Sequence, residues 1–436
     1  MNTQRVKIGL IGNMNNNNFA FLRYLVDMDY DVTLLLMAND GIGKASHFSI
    51  DSDCWEPHKW HKYIRRTGVY EHPISALNFP LSWIVFAYLF VTRLFRKREL
   101  AFPIRKKTIL KTYKDFDILI GSGIMPAVFS RVHKELTVFY PYAIGVEYLG
   151  SSVFLKHLNS KNLIQRCIAQ RVFLGQKSGL KQTKTIFTSS CQSTNNILQK
   201  YGIDYISSLI PTVYDDERSL VNSELETDWL SKIHQNDFII LSHARHHWKK
   251  PFNVTDEKWS EENKHNDWII KSFAKFLTKI NYKAKLVMFE YGQDVSHSKQ
   301  LCDKLNLTNH IIWLPVSPRK NILEIIGEID VGLGEFYSIP GVSWGSTLIE
   351  FMSKGKPVIH GCLIDKEKFI AEYGMAFPPL LAANSELEIY HQLIFLYEND
   401  LDRKRLSEAS LEWFNNNYGN GLTAEIMKKI LENYDT

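Results

Sequence analysis

Glu350 sits about one turn inside the segment Gly345-Ser346-Thr347-Leu348-Ile349-Glu350-Phe351-Met352-Ser353-Lys354-Gly355-Lys356-Pro357-Val358-Ile359, and the residues around it suggest what that acid could do. Ser346 and Thr347 favour a helix start, and Gly355 between two lysines favours its end. Pro357 then opens a short buried strand, where proline at the first position does no harm. The free amides of such a helix start attract phosphate, so Gly345, Ser346 and Thr347 form a candidate diphosphate site. Glu350, deeper by one turn, can accept hydrogen bonds from a ribose. An acid that only pairs inside an ordinary helix is the other reading of this spacing.

A second group of charges lies upstream. In Ser242-His243-Ala244-Arg245-His246-His247-Trp248, which follows an apolar run, Arg245 stands at a strand end and can grip a diphosphate through parallel N–H donors. Lys264, in Lys264-His265-Asn266-Asp267 ahead of a long helical pattern, supplies another cation, with Lys249 and Lys250 as substitutes. Surface salt bridging is the competing reading for these groups. Four histidines (His243, His246, His247, His265) fall in the same stretch, but no cysteine or carboxylate stands at zinc-site spacing, so no metal is expected. Asp51-Ser52-Asp53 has a metal-binding form yet lies in a polar stretch, and reads as loop polarity. At the other end of the chain Gly12-Asn13-Met14-Asn15 follows an opening strand. Gly12 permits a tight turn, and Asn13 offers both donors and acceptors. The dinucleotide pattern GxGxxG is absent.

These strings resemble the glycosyltransferases of family 4 (glycosyl transferases group 1), which have the GT-B fold. The likeness is specific across about 330–360 and weaker at 6–20, 140–150 and 242–270. It implies an α/β architecture of two doubly wound Rossmann-like domains facing each other across a crevice. It also implies retaining transfer of a sugar from a UDP- or GDP-linked donor to a glycan or lipid-linked acceptor, as in bacterial surface polysaccharide biosynthesis, with no cofactor and no bound metal. By this resemblance Glu350 holds the donor ribose, Arg245 and Lys264 neutralise the leaving diphosphate, and Gly12 and Asn13 line the crevice beside the donor. Tyr140-Pro141-Tyr142-Ala143-Ile144-Gly145-Val146-Glu147 resembles the family's acceptor-facing loop, which puts Tyr142 and Glu147 on the acceptor side. Two positions depart from the pattern. His265 stands where the family usually has glycine, and Val342, eight positions before Glu350, stands where a second acid commonly touches the donor sugar. Glu335, in Gly334-Glu335-Phe336-Tyr337, is the expected replacement; a solvated loop acid is the alternative. A sugar-nucleotide epimerase of the same fold and a non-catalytic nucleotide-sugar-binding relative are the rival functions.

The elements that must hold these residues are legible as alternation. Apolar runs at Val6–Ile11, Val32–Leu36, Asp117–Gly121, Leu136–Tyr140 and Lys184–Thr188 alternate with helical patterns such as Phe19–Met28, which predicts a parallel sheet covered by helices. The composition changes around Ile210-Pro211-Thr212, and alternation restarts at Phe238–Ser242, with a helix over Asn266–Ile280 and strands at Ala284–Phe289, Ile311–Leu314 and Ile329–Leu333. Domains are expected at 1–210, 211–400 and, as terminal helices packing back on the first, 401–436. A length of 436 residues, 45% apolar content and a net charge of +5 fit two globular cores and give no sign of nucleic-acid binding. Five scattered cysteines without a CxxC pair, and a start lacking a signal peptide's apolar core, suggest a reducing cytoplasm. One segment, 79–107, breaks the alternation: Phe79–Phe95 is apolar and runs into Arg96-Lys97-Arg98 and then Arg105-Lys106-Lys107. It is short for a span, which needs about 20 apolar residues, and reads either as a helix lying on the inner membrane surface or as a buried core helix.

Overall fold

A computed structural model describes residues 6–38, 40, 47–78, 80–93, 101–140, 146, 149, 163–188, 192–214, 237–251, 254, 259, 262–336 and 344–434. Tyr142, Glu147, Val342, Phe79 and the run Arg96-Lys97-Arg98 lie outside these residues. Among the described residues the strands form two sheets. The first is ordered β3(Ile64–Arg66)-β2(Asp31–Leu36)-β1(Lys7–Ile11)-β4(Ile118–Gly121)-β5(Val138–Phe139)-β6(Thr185–Thr188)-β7(Ile206–Ser207). The second is ordered β10(Ile311–Leu314)-β9(Ala284–Phe289)-β8(Phe238–Ser242)-β11(Val331–Leu333)-β12(Val358–His360)-β13(Leu381–Ala382). Every pairing is parallel. In each sheet the chain starts in the middle, winds one way, then returns to wind the other way. The strand order reverses beside β1 in the first sheet and beside β8 in the second, where the loops leave the carboxyl ends of the strands and leave a crevice for ligands.

The continuous apolar strands make sense because both faces of each sheet are covered. Ile118 and Ile120 of β4 enter one core while Leu119 between them enters another; Ile239 and Leu241 of β8 alternate with Phe238 and Ile240 in the same way. One of these cores is shared by the two domains. It takes Ile8 and Leu10 from the first sheet, Leu241 and Val287 from the second, and Phe414, Ile426, Met427 and Ile430 from the terminal helices. The last helix, Gly419–Tyr434, reaches the first domain directly, where Asn433 Nδ2 donates to Thr185 Oγ1 at 3.1 Å.

Helix α1 (Asn17–Asp27) follows β1, and α2 (Leu81–Arg93) occupies the apolar segment; α3 (Lys106–Tyr113), α4 (Met125–Arg131), α5 (Leu163–Gln182) and α6 (Gln192–Lys200) complete the described helices of the first domain. α2 is neither wholly core nor long enough to cross a membrane. Val85 packs inward beside Ile74 and Leu77, whereas Trp83, Ile84, Phe90 and Val91, at helical spacing on the other side, are about half exposed. Arg131 fixes the approach to this helix by donating to the carbonyls of Ser75 and Ile104 and to the Asn78 side chain. No helix among the described residues is long and apolar enough to span a bilayer.

In the second domain α7 (Asn266–Lys279), α8 (Val295–Lys304), α9 (Arg319–Gly327), α10 (Ser346–Ser353), α11 (Lys366–Tyr373) and α12 (Glu386–Glu398) precede α13 (Asp400–Asn417) and α14 (Gly419–Tyr434). α7 buries Ile269, Phe273, Phe276 and Leu277, the face expected from its periodicity. α10 ends at Ser353, and Gly355 takes the left-handed conformation (φ 63°) with its N–H bonded to the Met352 carbonyl at 2.9 Å. This is a glycine C-terminal cap. α10 lies so close to β11 that a Cβ at Gly332 would meet the Phe351 ring at 2.5 Å. Gly332→Ala is therefore expected to lower stability by about 1–3 kcal/mol through overpacking, measured by urea denaturation.

Candidate functional site

The loops at both strand-order reversals converge on one buried guanidinium. Arg319, the first residue of α9, donates through Nε to Glu350 Oε1 at 2.8 Å. Its Nη1 reaches the Asn15 carbonyl at 2.9 Å, Asp53 Oδ1 at 3.1 Å and the Thr212 carbonyl at 3.0 Å, and its Nη2 reaches Asn15 Oδ1 at 2.9 Å and Ser346 Oγ at 3.4 Å. Asn15 also bonds Ser346 Oγ directly, at 2.7 Å. Thus the loop after β1, the segment after β2, the crossing between domains and two helices of the second domain meet within one side chain's reach. The turn after β1 is made possible by Gly12 at φ +82°, and Asn15 and Asn16 also adopt left-handed backbone. Asn13 is buried and internally bonded, with its amide on Asn16 Oδ1 and the Phe48 carbonyl and its oxygen on the Phe19 N–H. Asn13 thereby shapes the loop, and Asn15 is the side chain that crosses to the other domain.

Glu350 is itself buried. Its second oxygen accepts from His243 Nε2 at 2.6 Å, and the His243 ring meets Phe351 edge-on at 4.9 Å. Burial pushes the carboxyl pKa up, but the Arg319 charge and the His243 hydrogen bond outweigh it and hold the value down at about 2. Gly345 occupies the N-cap position of α10 and has no side chain with which to cap it, and amides at such a helix start attract anions. Thr347 Oγ1 is buried without a hydrogen-bond partner among the described residues.

Lys264 and Glu335, far apart in sequence, form an ion pair at 3.0 Å. Glu335 leaves the end of β11 beside the α10 start, so close that a Cβ at Gly345 would lie 2.9 Å from its Oε2. Lys264 is placed by the loop after β8: its N–H bonds the His247 carbonyl at 2.8 Å, while His247 N–H bonds Asn266 Oδ1 at 3.0 Å. His265 supplies the left-handed residue (φ 48°) that the family pattern gives to glycine. The same loop is pinned on its other side, where Asp294 accepts the Trp248 and Lys249 N–H groups and Ser298 Oγ bonds His246 Nδ1 and Trp248 Nε1. Arg245 projects from this loop and is exposed. Lys249 lies over the Trp248 ring, its ammonium 4.4 Å from the centroid.

The structure therefore groups Glu335, Lys264 and Gly345 at one end of α10, and Glu350, Ser346 and Asn15 around Arg319. Three participants escaped the sequence reading. Arg319 lies at an otherwise ordinary helix start, and His243 was weighed only as a metal ligand. Asp53 is fully buried between Arg319 and Arg23, the latter at 2.7 Å, which overturns its reading as loop polarity. His47 also faces the crevice: its Nε2 is 2.8 Å from Tyr291 Oη of the opposite domain, and partial burial followed by the charges of Arg319 and Arg245 lowers its pKa. Tyr142 and Glu147 cannot be placed, lying outside the described residues.

Residues 260–412 match the family described as Glycosyl transferases group 1, so this domain lies across the helix, strands and acid-bearing segments just described. Solved structures align over the whole chain. WaaG, a glycosyltransferase involved in lipopolysaccharide biosynthesis, is 13% identical, with a TM-score of 0.56 and coverage of 97% of this chain and 99% of that one. The Anabaena protein HepE, crystallised with UDP-glucose, is 12% identical, with a TM-score of 0.56 and coverage of 98% and 99%. A putative UDP-N-acetylglucosamine 2-epimerase from Listeria monocytogenes is 11% identical, with a TM-score of 0.52 and coverage of 98% and 96%. The fold is GT-B. No curated protein matches the chain.

The Glu350 pair gives a pH signature. Its folded value of about 2 lies below the ordinary 4.5, so its stabilisation is complete above pH 4.5 and is lost as pH falls toward 2. The stability difference between wild type and Glu350→Gln, from urea denaturation, is expected to narrow by roughly 2 kcal/mol between pH 7 and pH 3.

Proposed function

We propose that the protein is a retaining, family 4-like glycosyltransferase that moves a sugar from a UDP- or GDP-linked donor to a glycan or lipid-linked acceptor in bacterial surface polysaccharide assembly. The observation that carries this reading is the start of α10 at Gly345, with the Lys264–Glu335 pair beside it and the buried Glu350 one turn further in. A diphosphate at those amides meets Lys264, and Arg245 closes over it from the exposed loop. Lys264 then exchanges Glu335 for phosphate, which frees Glu335 to bond the donor sugar in place of the acid absent at Val342. Glu350 keeps lone pairs beyond its bonds to Arg319 and His243 and accepts from the ribose hydroxyls. As the glycosidic bond breaks, negative charge grows on the diphosphate, where the helix start and the two cations stabilise it. The leaving phosphate takes the acceptor's proton, without a bound metal or a dedicated protein base. The acceptor enters from the first domain, with Tyr142 and Glu147 on its side. An epimerase uses the same crevice and is the second reading, favoured by the Listeria neighbour.

We place the reaction in the cytoplasm with α2 against the inner membrane surface. Trp83, Ile84, Phe90 and Val91 face outward, Phe102 is exposed beside them, and Arg105, Lys106 and Lys107 follow as exposed cations. Co-sedimentation with phosphatidylglycerol vesicles is expected for wild type and reduced for Trp83→Ser with Phe90→Ser; equal binding by the variant excludes this face.

Thermal-shift titration with UDP, GDP and ADP tests the donor site. One nucleotide, at 100 times its dissociation constant, should stabilise the protein by about 2.7 kcal/mol, and Glu350→Ala should lose the response. With that donor, Glu335→Gln is expected to lower kcat by about a hundredfold. Undiminished turnover removes Glu335 from the mechanism, and donor consumption without an acceptor, giving an isomerised nucleotide-sugar, favours the epimerase.

A further inference from the structure

Glu350 is held in place from the opposite domain. The chain of charges runs Arg23–Asp53–Arg319–Glu350: Arg23 Nη2 lies 2.7 Å from Asp53 Oδ2, Asp53 Oδ1 3.1 Å from Arg319 Nη1, and Arg319 Nε 2.8 Å from Glu350 Oε1. Arg23 cannot swing away, because its guanidinium lies over the rings of Phe19 (4.1 Å) and Tyr214 (4.7 Å) and its Nε bonds the Phe19 carbonyl. Asp53 is fully buried and presents no exposed surface. It balances the second guanidinium and fixes one edge of it, while the Asn15 carbonyl and side-chain oxygen fix another. A planar guanidinium held at those edges has one direction left for Nε, and that direction is Glu350.

We propose that the first domain sets nucleotide affinity in the second through this chain, with Asp53 as a positioning residue that acts on Glu350 through Arg319. The proposal rests on Glu350 being the ribose acceptor. The direction of the effect follows from the charges. With both carboxylates present, two guanidiniums face two anions. Neutralising Asp53 leaves two guanidiniums facing one anion and loosens one edge of Arg319, so Glu350 shifts from the orientation that the ribose needs. The Asp53 substitution therefore weakens nucleotide binding from the opposite domain, in the manner of a coupling between distant groups.

The test is calorimetric titration of the 436-residue chain with UDP and GDP, joined to steady-state kinetics with the corresponding sugar nucleotide. Asp53→Asn is expected to raise the dissociation constant and the donor KM about tenfold and to change kcat by less than about threefold. In a Glu350→Gln background the same substitution should add no further loss, because the two act on one interaction. Arg23→Lys, which retains the charge but slackens the hold on Asp53, provides a milder variant should Asp53→Asn not fold; it is expected to weaken binding by about threefold, again only when Glu350 is present. Unchanged affinity in a folded variant, tighter binding, or losses that simply add in the double variant overturns the coupling while leaving the donor site standing. A wild type that binds neither nucleotide overturns the donor site and the coupling together.

Discussion

A guanidinium removed from water must find acceptors for its whole donor fork, and Arg319 finds them in both domains at once. Its bonds bring the turn after β1, the Asp53 segment and the Thr212 crossing to the start of α10. The backbone at Thr212 is in turn tied to the terminal helices, since its N–H and hydroxyl both meet Tyr418 Oη. The left-handed conformations of Asn15 and Asn16 belong to the same constraint. They aim the Asn15 carbonyl and amide oxygens at one cation, and asparagine tolerates that backbone better than most residues.

The two acids of the site sit in different electrostatic surroundings, which suits different tasks. Glu350 is enclosed by Arg319 and His243, kept ionised and held in one orientation. Glu335 has a lysine partner at the edge of the helix start. The two acids thus meet the same short helix at its start and one turn further in. Gly345 between them leaves the room that Glu335 occupies.

Outside the crevice, packing determines what each surface offers. A core shared by both sheets and the terminal helices holds the domains beside one another, so the crevice lies between elements that are already packed together. α2 presents a different problem, because its inner residues fill a small core of their own while its outer aromatic and aliphatic side chains are about half exposed. The expectation of a buried helix therefore holds for one face only, and the other face is an exposed apolar stripe.

The amino-acid sequence by itself determined the alternation of strands and helices, the restart after Thr212, and the boundaries of α10 with its glycine cap, because these depend on local periodicity and backbone preference. Short edge strands such as Ile64–Arg66 and Leu381–Ala382 were not legible, since two or three residues carry no period. Glu350, Lys264 and Glu335 were visible as candidates from motif and order. Only the tertiary structure decided that Lys264 and Glu335 pair, that Asp53 is buried, and that Arg319 joins the domains, because each contact links positions 30 to more than 300 residues apart. A charged residue's environment is set by what folds against it. An aspartate in a polar stretch and an arginine at a plain helix start carry no local mark of the charge that each will neutralise.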